Sequence, residues 1–212
     1  MRSLYEKMID ENVILDGHWI LHSGRHAQLY VSKDKIYKSP NLYKDVVDEM
    51  SYKMEMTGIN FDVVTGPAVA GAIIASPVSL NLGKVFVYPE KKMEVETTEL
   101  PMMDREVRME HKIVSKEMEF RRGYDKDLNG KRVFLTEDVI TTGDSVEQTV
   151  RAIRGNGGIV VGVFAIWNRT NWKLQGVPTY SLIDRPVESW TEDECPLCGD
   201  PKNPLRDPKM FG

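Results

Sequence analysis

Residues 132–150, RVFLTEDVITTGDSVEQTV, set two adjacent acids, Glu137 and Asp138, after an apolar run and before a Thr-Thr-Gly-Asp-Ser loop that opens a helix-like pattern. Ligands of open α/β sheets collect at the carboxyl ends of strands, and a helix N-terminus offers unpaired N–H groups and a positive dipole end to a phosphate. Thr141, Thr142 and Ser145 add hydroxyl donors, Gly143 lets the backbone approach the oxygens, and Asp144 completes the loop. Two carboxylates do not serve that same phosphate. They suit vicinal sugar hydroxyls, or a magnesium ion holding a second phosphate group. The plain alternative makes Thr141 or Asp144 an N-cap and the two acids a solvated turn. An apolar strand ending in both acids favours the ligand reading.

Other phosphate motifs fit less well. Gly66 to Gly71 has the glycine spacing of a P-loop, but Ala72 and Ile73 follow where Lys and Ser/Thr are needed. Gly155, Gly157 and Gly158 follow a helical pattern instead of opening one, so they read as a turn.

The elements around the motif follow from periodicity. Leu4, Met8 and Ile9, then Leu42, Val46, Val47, Met50 and Met54, mark the faces of two helices. Between them lies a β-rich segment of short strands and turns. Residues 61–65, 84–88, 132–136, 159–166 and 179–183 are apolar runs, and Val146, Val150 and Ile153 mark a further helix. A small-residue helix reaching Leu82 contains Pro77, which should kink or end it. Apolar runs alternating with helices predict an α/β domain with a largely parallel sheet. Residues 89–130 have little apolar periodicity and carry nine Lys/Arg and eleven Asp/Glu, as an extended hairpin or a mobile loop would.

The chain has 212 residues, 28 Lys+Arg against 32 Asp+Glu, and a net charge of −4, which disfavours nucleic acid as a partner. No stretch approaches the roughly 18 apolar residues of a membrane span, and the first dozen residues lack a signal-peptide core. The expected address is the cytoplasm, with no membrane contact. The tryptophans and the 11 methionines read as core and interface packing.

The two acids and the Thr/Gly/Ser loop resemble the phosphoribosyl-pyrophosphate signature of the type I phosphoribosyltransferases. Three further segments sharpen the resemblance toward the orotate branch. GHWILHSGRHAQLYV (17–31) looks like its hood motif, FDVVTGPAVAGAI (61–73) like its pyrophosphate-facing loop, and FAIWNRT (164–170) like the strand end that supplies a base-binding arginine. The resemblance implies a central, mostly parallel sheet flanked by helices, a small N-terminal hood over about 1–40 and a charged insertion over 89–130. One domain would span 1–194, with an irregular tail over 195–212.

It also implies roles. Glu137 and Asp138 would hold the ribose hydroxyls, with magnesium carried by the substrate and touched by these acids. Thr141 to Ser145 would cradle the 5-phosphate, and Gly66, Pro67 and Ala68 would lie beside the pyrophosphate. Ser23, Arg25 and His26 would close over the base and pyrophosphate, and Arg169 would pair with the base. Lys91, Lys92, Arg121 and Arg122, at the flanks of the insertion, would supply cations to the leaving group, reaching across a homodimer that shares its active sites. The implied reaction is magnesium-dependent phosphoribosyl transfer from phosphoribosyl pyrophosphate to orotate. Transfer to a purine or another base, or a regulatory protein that binds phosphoribosyl pyrophosphate without turnover, are the alternatives. His26 stands where the family often has lysine, and the insertion is longer than the family's loop.

Cys195 and Cys198, as Cys-Pro-Leu-Cys, supply at most half of a zinc site. A four-cysteine zinc bridging two subunits is the version that the sequence itself allows.

Overall fold

A computed structural model of the chain describes residues 2–21, 23–92, 95–101, 107–113 and 117–208. Ser3 starts α1 (Leu4–Asp10) by a reciprocal cap: its hydroxyl accepts the Glu6 N–H while the Glu6 carboxylate accepts the Ser3 N–H. Leu4 and Met8 are buried one turn apart, whereas Ile9 has rotated off that face and is exposed. β1 (Ile14–Ile20) pairs antiparallel with β2 (His26–Val31), with one extra residue on β1 between Asp16 and Trp19. Gly17 holds φ +142° at that bulge. A short α2 (Asp34–Lys38) then leads to α3 (Pro40–Met56), which buries all five of its predicted face residues.

The sheet begins with β3 (Val63–Thr65), followed by α4 (Ala70–Leu82) and β4 (Val85–Phe86). α4 reaches Leu82 as expected, and Pro77 does not end it. A proline leaves the carbonyl four residues earlier without its N–H donor, and here the Tyr43 hydroxyl donates to that carbonyl, Ile73 O, at 2.8 Å.

Within the charged insertion, β5 (Glu90–Lys91), β6 (Val95–Pro101), β7 (Val107–Ile113) and β8 (Met118–Glu119) form two antiparallel pairs, β5 with β8 and β6 with β7. The insertion is therefore a hairpin at both levels; residues 93–94, 102–106 and 114–116 of it lie outside the described residues.

β9 (Arg132–Ile140), α5 (Asp144–Gly155), β10 (Ile159–Asn168) and β11 (Thr179–Asp184) complete the domain. The strand order is β11-β10-β9-β3-β4, parallel throughout. Helices cover both faces, so successive strand residues are buried alternately on opposite sides and the strands read as unbroken apolar runs. On one side Val64, Phe134, Phe164 and Ile166 meet α3 and α4 through Met50, Met54, Ile74 and Val78. On the other, Val63, Val133, Leu135 and Val163 meet α5 through Val146, Val150 and Ile153.

The C-terminal segment runs mostly through turns, and two short strands tie it to the hood. β12 (Ser189–Trp190) pairs with β2, and β13 (Leu205–Arg206) runs parallel to β1, giving a hood sheet in the order β12-β2-β1-β13. The chain's two ends are thus one structural unit. Residues 209–212 lie outside the description. No helix among the described residues is long and apolar enough to cross a membrane.

Candidate active site

β3 ends at Thr65, opposite Leu135, while β9 continues to Ile140 with only β10 beside it. The missing neighbour opens a cleft along the last turn of β9, and Glu137 and Asp138 stand in it. Both acids are buried. They lie within the strand, since β9 extends four residues beyond the predicted run.

A cavity of about 360 Å³ occupies this cleft. Pro67, Ala68, Val69 and Ala70 wall one side, and Glu137, Asp138 and Val139 form the floor. Thr141 and Ser145 enter from the loop before α5, and Arg169 and Lys33 close the rim. Two larger hollows, of about 830 and 880 Å³, gather no comparable chemistry. One follows the β11 edge near Lys53 and Tyr180; the other is an apolar groove of Tyr43, Ile73, Pro77, Phe86 and Tyr88.

The loop after β3 is pressed onto β9 by its glycines. A Cβ on Gly66 would sit 2.3 Å from Gly71 O and 2.6 Å from Thr136 O, backbone atoms that cannot swing away. The Thr136 hydroxyl, also buried, lies 3.2 Å from Gly71 O and 3.3 Å from Thr65 O, tying the loop to the strand. At the other wall, Gly143 caps α5 with φ +82°, and a Cβ there would enter the Trp172 ring. No side chain caps α5, so the predicted N-cap role for Thr141 or Asp144 is not the one they take. The start of the helix remains open to a ligand.

Electrostatics divide the two acids. Lys33 Nζ lies 2.8 Å from Asp138 Oδ2, and Asp138 Oδ1 accepts the Val139 N–H at 2.6 Å. Glu137 makes no ion pair among the described residues, and burial, then the neighbouring Asp138 charge, pushes its carboxyl well above the usual carboxylate range, with Lys33 opposing. Burial works against the Lys33 ammonium, but Asp138, Glu137 and Asp34 outweigh it and its pKa rises. The Arg169 guanidinium is pulled down by burial, with Tyr30 opposing, and its Nε has no hydrogen-bond partner among the described residues. An orphaned buried donor on a cavity wall is a place for a ligand acceptor.

Of the residues singled out in the sequence, Pro67, Ala68, Glu137, Asp138, Thr141, Ser145 and Arg169 converge on the cavity. Gly66, Thr142, Gly143 and Asp144 shape its loops without lining it. The hood residues lie elsewhere. Ser23 is exposed in the β1–β2 turn, and Arg25 is engaged by Ser189, its Nε 3.0 Å from the hydroxyl. His26 is buried with its Nδ1 3.0 Å from His18 Nε2 and 3.2 Å from Cys198 Sγ, so its ring is engaged by β1 and the tail. The insertion's cations pair within the insertion: Lys92 with Glu117 at 3.2 Å, Arg122 with Glu90 at 2.8 Å and Arg121 with Glu119. Lys91 lies in the apolar groove beside Val69.

Lys33 was missed. Its only sequence signal is a lysine two residues beyond the hood motif, where β2 hands over to α2.

The sequence pattern of the phosphoribosyl transferase domain matches residues 32–175. The chain is 33% identical over 196 residues to the orotate phosphoribosyltransferase of Caldanaerobacter subterraneus, covering 92% of this chain and 88% of that one. It is 32% identical over 187 residues to the orotate phosphoribosyltransferase of Thermoanaerobacter sp., covering 88% and 85%. The crystal structure of orotate phosphoribosyltransferase from Aeropyrum pernix superposes with a TM-score of 0.58 at 18% identity, covering 85% of this chain and 93% of the other. Adenine phosphoribosyltransferase from Trypanosoma brucei gives 0.59 at 17%, covering 85% and 79%; at such identities the likeness shows the fold alone. A matched domain that runs from the end of the hood through the acids and Arg169, on a fold shared with solved phosphoribosyltransferases, makes this chain a member of the phosphoribosyltransferase family of glycosyltransferase-type enzymes.

Proposed function

We propose that the protein transfers a 5-phosphoribosyl group from phosphoribosyl pyrophosphate to orotate, releasing orotidine 5′-monophosphate and pyrophosphate. The observation that carries this is the single cavity in which two buried acids, an uncapped helix start, a glycine-packed loop and an arginine with an orphaned Nε meet. Sequence relatives bearing the orotate enzyme's name over about nine-tenths of the chain support the choice of base.

In this reading Thr141, Ser145 and the open amides of α5 take the 5-phosphate. Glu137 and Asp138 accept the ribose hydroxyls, with Lys33 holding Asp138 in place. The 67–70 loop turns its backbone to the pyrophosphate, and the Arg169 guanidinium meets the carboxylate or carbonyl of the base. Charge at the anomeric carbon grows as its bond to pyrophosphate lengthens, so positioning and electrostatics do the catalysis and no protein nucleophile is needed.

Two adjacent carboxylates fit a hard divalent cation that takes its remaining oxygens from a diphosphate and water. Magnesium, when bound, would neutralise charge on the departing pyrophosphate. In a homodimer with shared active sites, which the family resemblance implies, the insertion's lysines and arginines would serve the neighbouring site. A cytoplasmic enzyme of pyrimidine nucleotide synthesis is the setting this reading implies.

The test is pyrophosphate release with phosphoribosyl pyrophosphate and magnesium against orotate, uracil, adenine, hypoxanthine and nicotinate in parallel. Turnover with orotate alone supports the reading. Turnover with another base reassigns Arg169 and the hood, and calorimetric binding of phosphoribosyl pyrophosphate without turnover marks a regulatory protein.

A further inference from the structure

The tail's cysteines meet two buried histidines, none of the four lining the cavity. His18 Nε2 lies 3.0 Å from His26 Nδ1, 3.4 Å from Cys195 Sγ and 3.8 Å from Cys198 Sγ, and His26 Nδ1 lies 3.2 Å from Cys198 Sγ. All four donor atoms fall within 4.8 Å of one another. From this convergence we propose that His18, His26, Cys195 and Cys198 bind one zinc ion within a single chain, fastening the C-terminal turn to the hood.

A hydrogen-bond network does not account for the arrangement. A ring nitrogen has one in-plane direction, carrying either a proton or a lone pair. Yet His18 Nε2 faces three partners and His26 Nδ1 faces two, so the atoms point at a common centre and form no chain of donors and acceptors. A tetrahedral zinc with bonds of about 2.0 Å to nitrogen and about 2.3 Å to sulfur holds its ligand atoms about 3.3–3.8 Å apart. Of the four close separations, 3.4 and 3.8 Å fall within that range and 3.0 and 3.2 Å just below it. Two thiolates cancel the charge of a zinc ion, which suits a site where three of the four ligands are buried.

The local folding explains how the ligands arrive. The β1 bulge at Gly17 breaks the alternation of the strand, so His18 and Trp19 are both buried although they are consecutive. His18 thereby joins His26 on the neighbouring strand. The Cys-Pro-Leu-Cys turn closes with the Cys198 N–H donating to Cys195 O at 3.3 Å, presenting both sulfurs to the same side. β12 and β13, flanking this turn, are two-residue strands on opposite edges of the hood sheet, and the metal would add a further tie between tail and hood. The four-cysteine bridge between subunits is not required, because each chain carries a complete set.

The experiment measures zinc by mass spectrometry in the untagged full-length protein after zinc loading and dialysis into metal-free buffer. About one zinc per chain is expected, falling at least tenfold in Cys198→Ser and in His18→Ala. Cobalt in place of zinc should give thiolate charge-transfer absorption, and both thiols should react with Ellman's reagent only after a chelator is added. A wild-type protein that retains no zinc and whose thiols react equally with and without zinc overturns the proposal. Half a zinc per chain, or iron in its place, also overturns it. Should a variant fail to fold, wild-type stoichiometry and the cobalt spectrum decide alone.

Discussion

Lys33 Nζ stands 2.8 Å from Asp138 Oδ2, which makes the second residue after the hood strands the partner of the acid at the heart of the cleft. Hood and sheet are thereby coupled by charge at the rim of the cleft. The lysine side chain is 45% exposed, so it is held by Asp138 and still open to a ligand. Replacing it with Met keeps the apolar stem and leaves Asp138 buried without its cation. Removing one partner of a fully buried pair costs roughly 3–5 kcal/mol, and solvent around Lys33 reduces this to about 1–2 kcal/mol. Thermal unfolding of Lys33→Met should show that loss, and its KM for phosphoribosyl pyrophosphate should rise more than its KM for the base.

Asp138→Asn and Arg169→Ala should separate sugar from base. Asn preserves shape but removes the charge that meets the ribose, so kcat should fall by about 10²-fold or more with the fold intact. Arg169→Ala should raise KM for the base and leave that for phosphoribosyl pyrophosphate nearly unchanged. Wild-type activity in the first variant, or equal KM effects in the second, would remove the respective assignment.

Glu137 gives a pH signature. Its carboxyl titrates above the usual range in the folded protein because burial and Asp138 disfavour its charge. Between about pH 4.3, where an unfolded glutamate titrates, and the higher folded value, the native state binds more protons and stability falls as pH rises. Glu137→Gln mimics the neutral carboxyl and lacks this loss. The melting temperatures of variant and wild type should match in acid and diverge toward neutral pH in the variant's favour, levelling once the native carboxyl is ionised. Parallel curves from about pH 4 to about pH 9 would contradict the assignment.

The Tyr43–Ile73 bond predicts an energetic coupling. Tyr43→Phe should destabilise by about 0.5–1.5 kcal/mol, since Ile73 O then has no donor. In a Pro77→Ala background the new N–H at position 77 reaches that carbonyl, so the same Tyr43→Phe change should cost markedly less. A double-mutant cycle by chemical denaturation measures the difference, and additive effects would refute the compensation.

Much of this architecture was legible because both faces of the parallel sheet are buried. Runs such as RVFLT and IVVGVFAI announce themselves without alternation, and the acids and the Thr/Gly/Ser loop follow one such run directly. What stayed hidden was set by contacts distant in sequence. Pro77 argued for a kink in α4 or its end, and only Tyr43, thirty-four residues earlier, shows why the helix continues. His26 was assigned by its place in a motif, whereas the bulge at Gly17 and the returning tail decide where its ring points. Lys33 carried no local pattern, because its partner lies more than a hundred residues away. The tail's composition argued for irregular structure, but two-residue strands need only a neighbour's free edge, and the hood supplies two.

The central claim is tested most directly by incubating the protein with orotate, phosphoribosyl pyrophosphate and magnesium and identifying the products by chromatography, with Asp138→Asn as the control. The account predicts orotidine 5′-monophosphate and pyrophosphate in equal amounts from the wild type, and a drop of about 10²-fold in the variant. Unchanged orotate under conditions where another base is converted to its nucleotide, or where no base is converted at all, would contradict it.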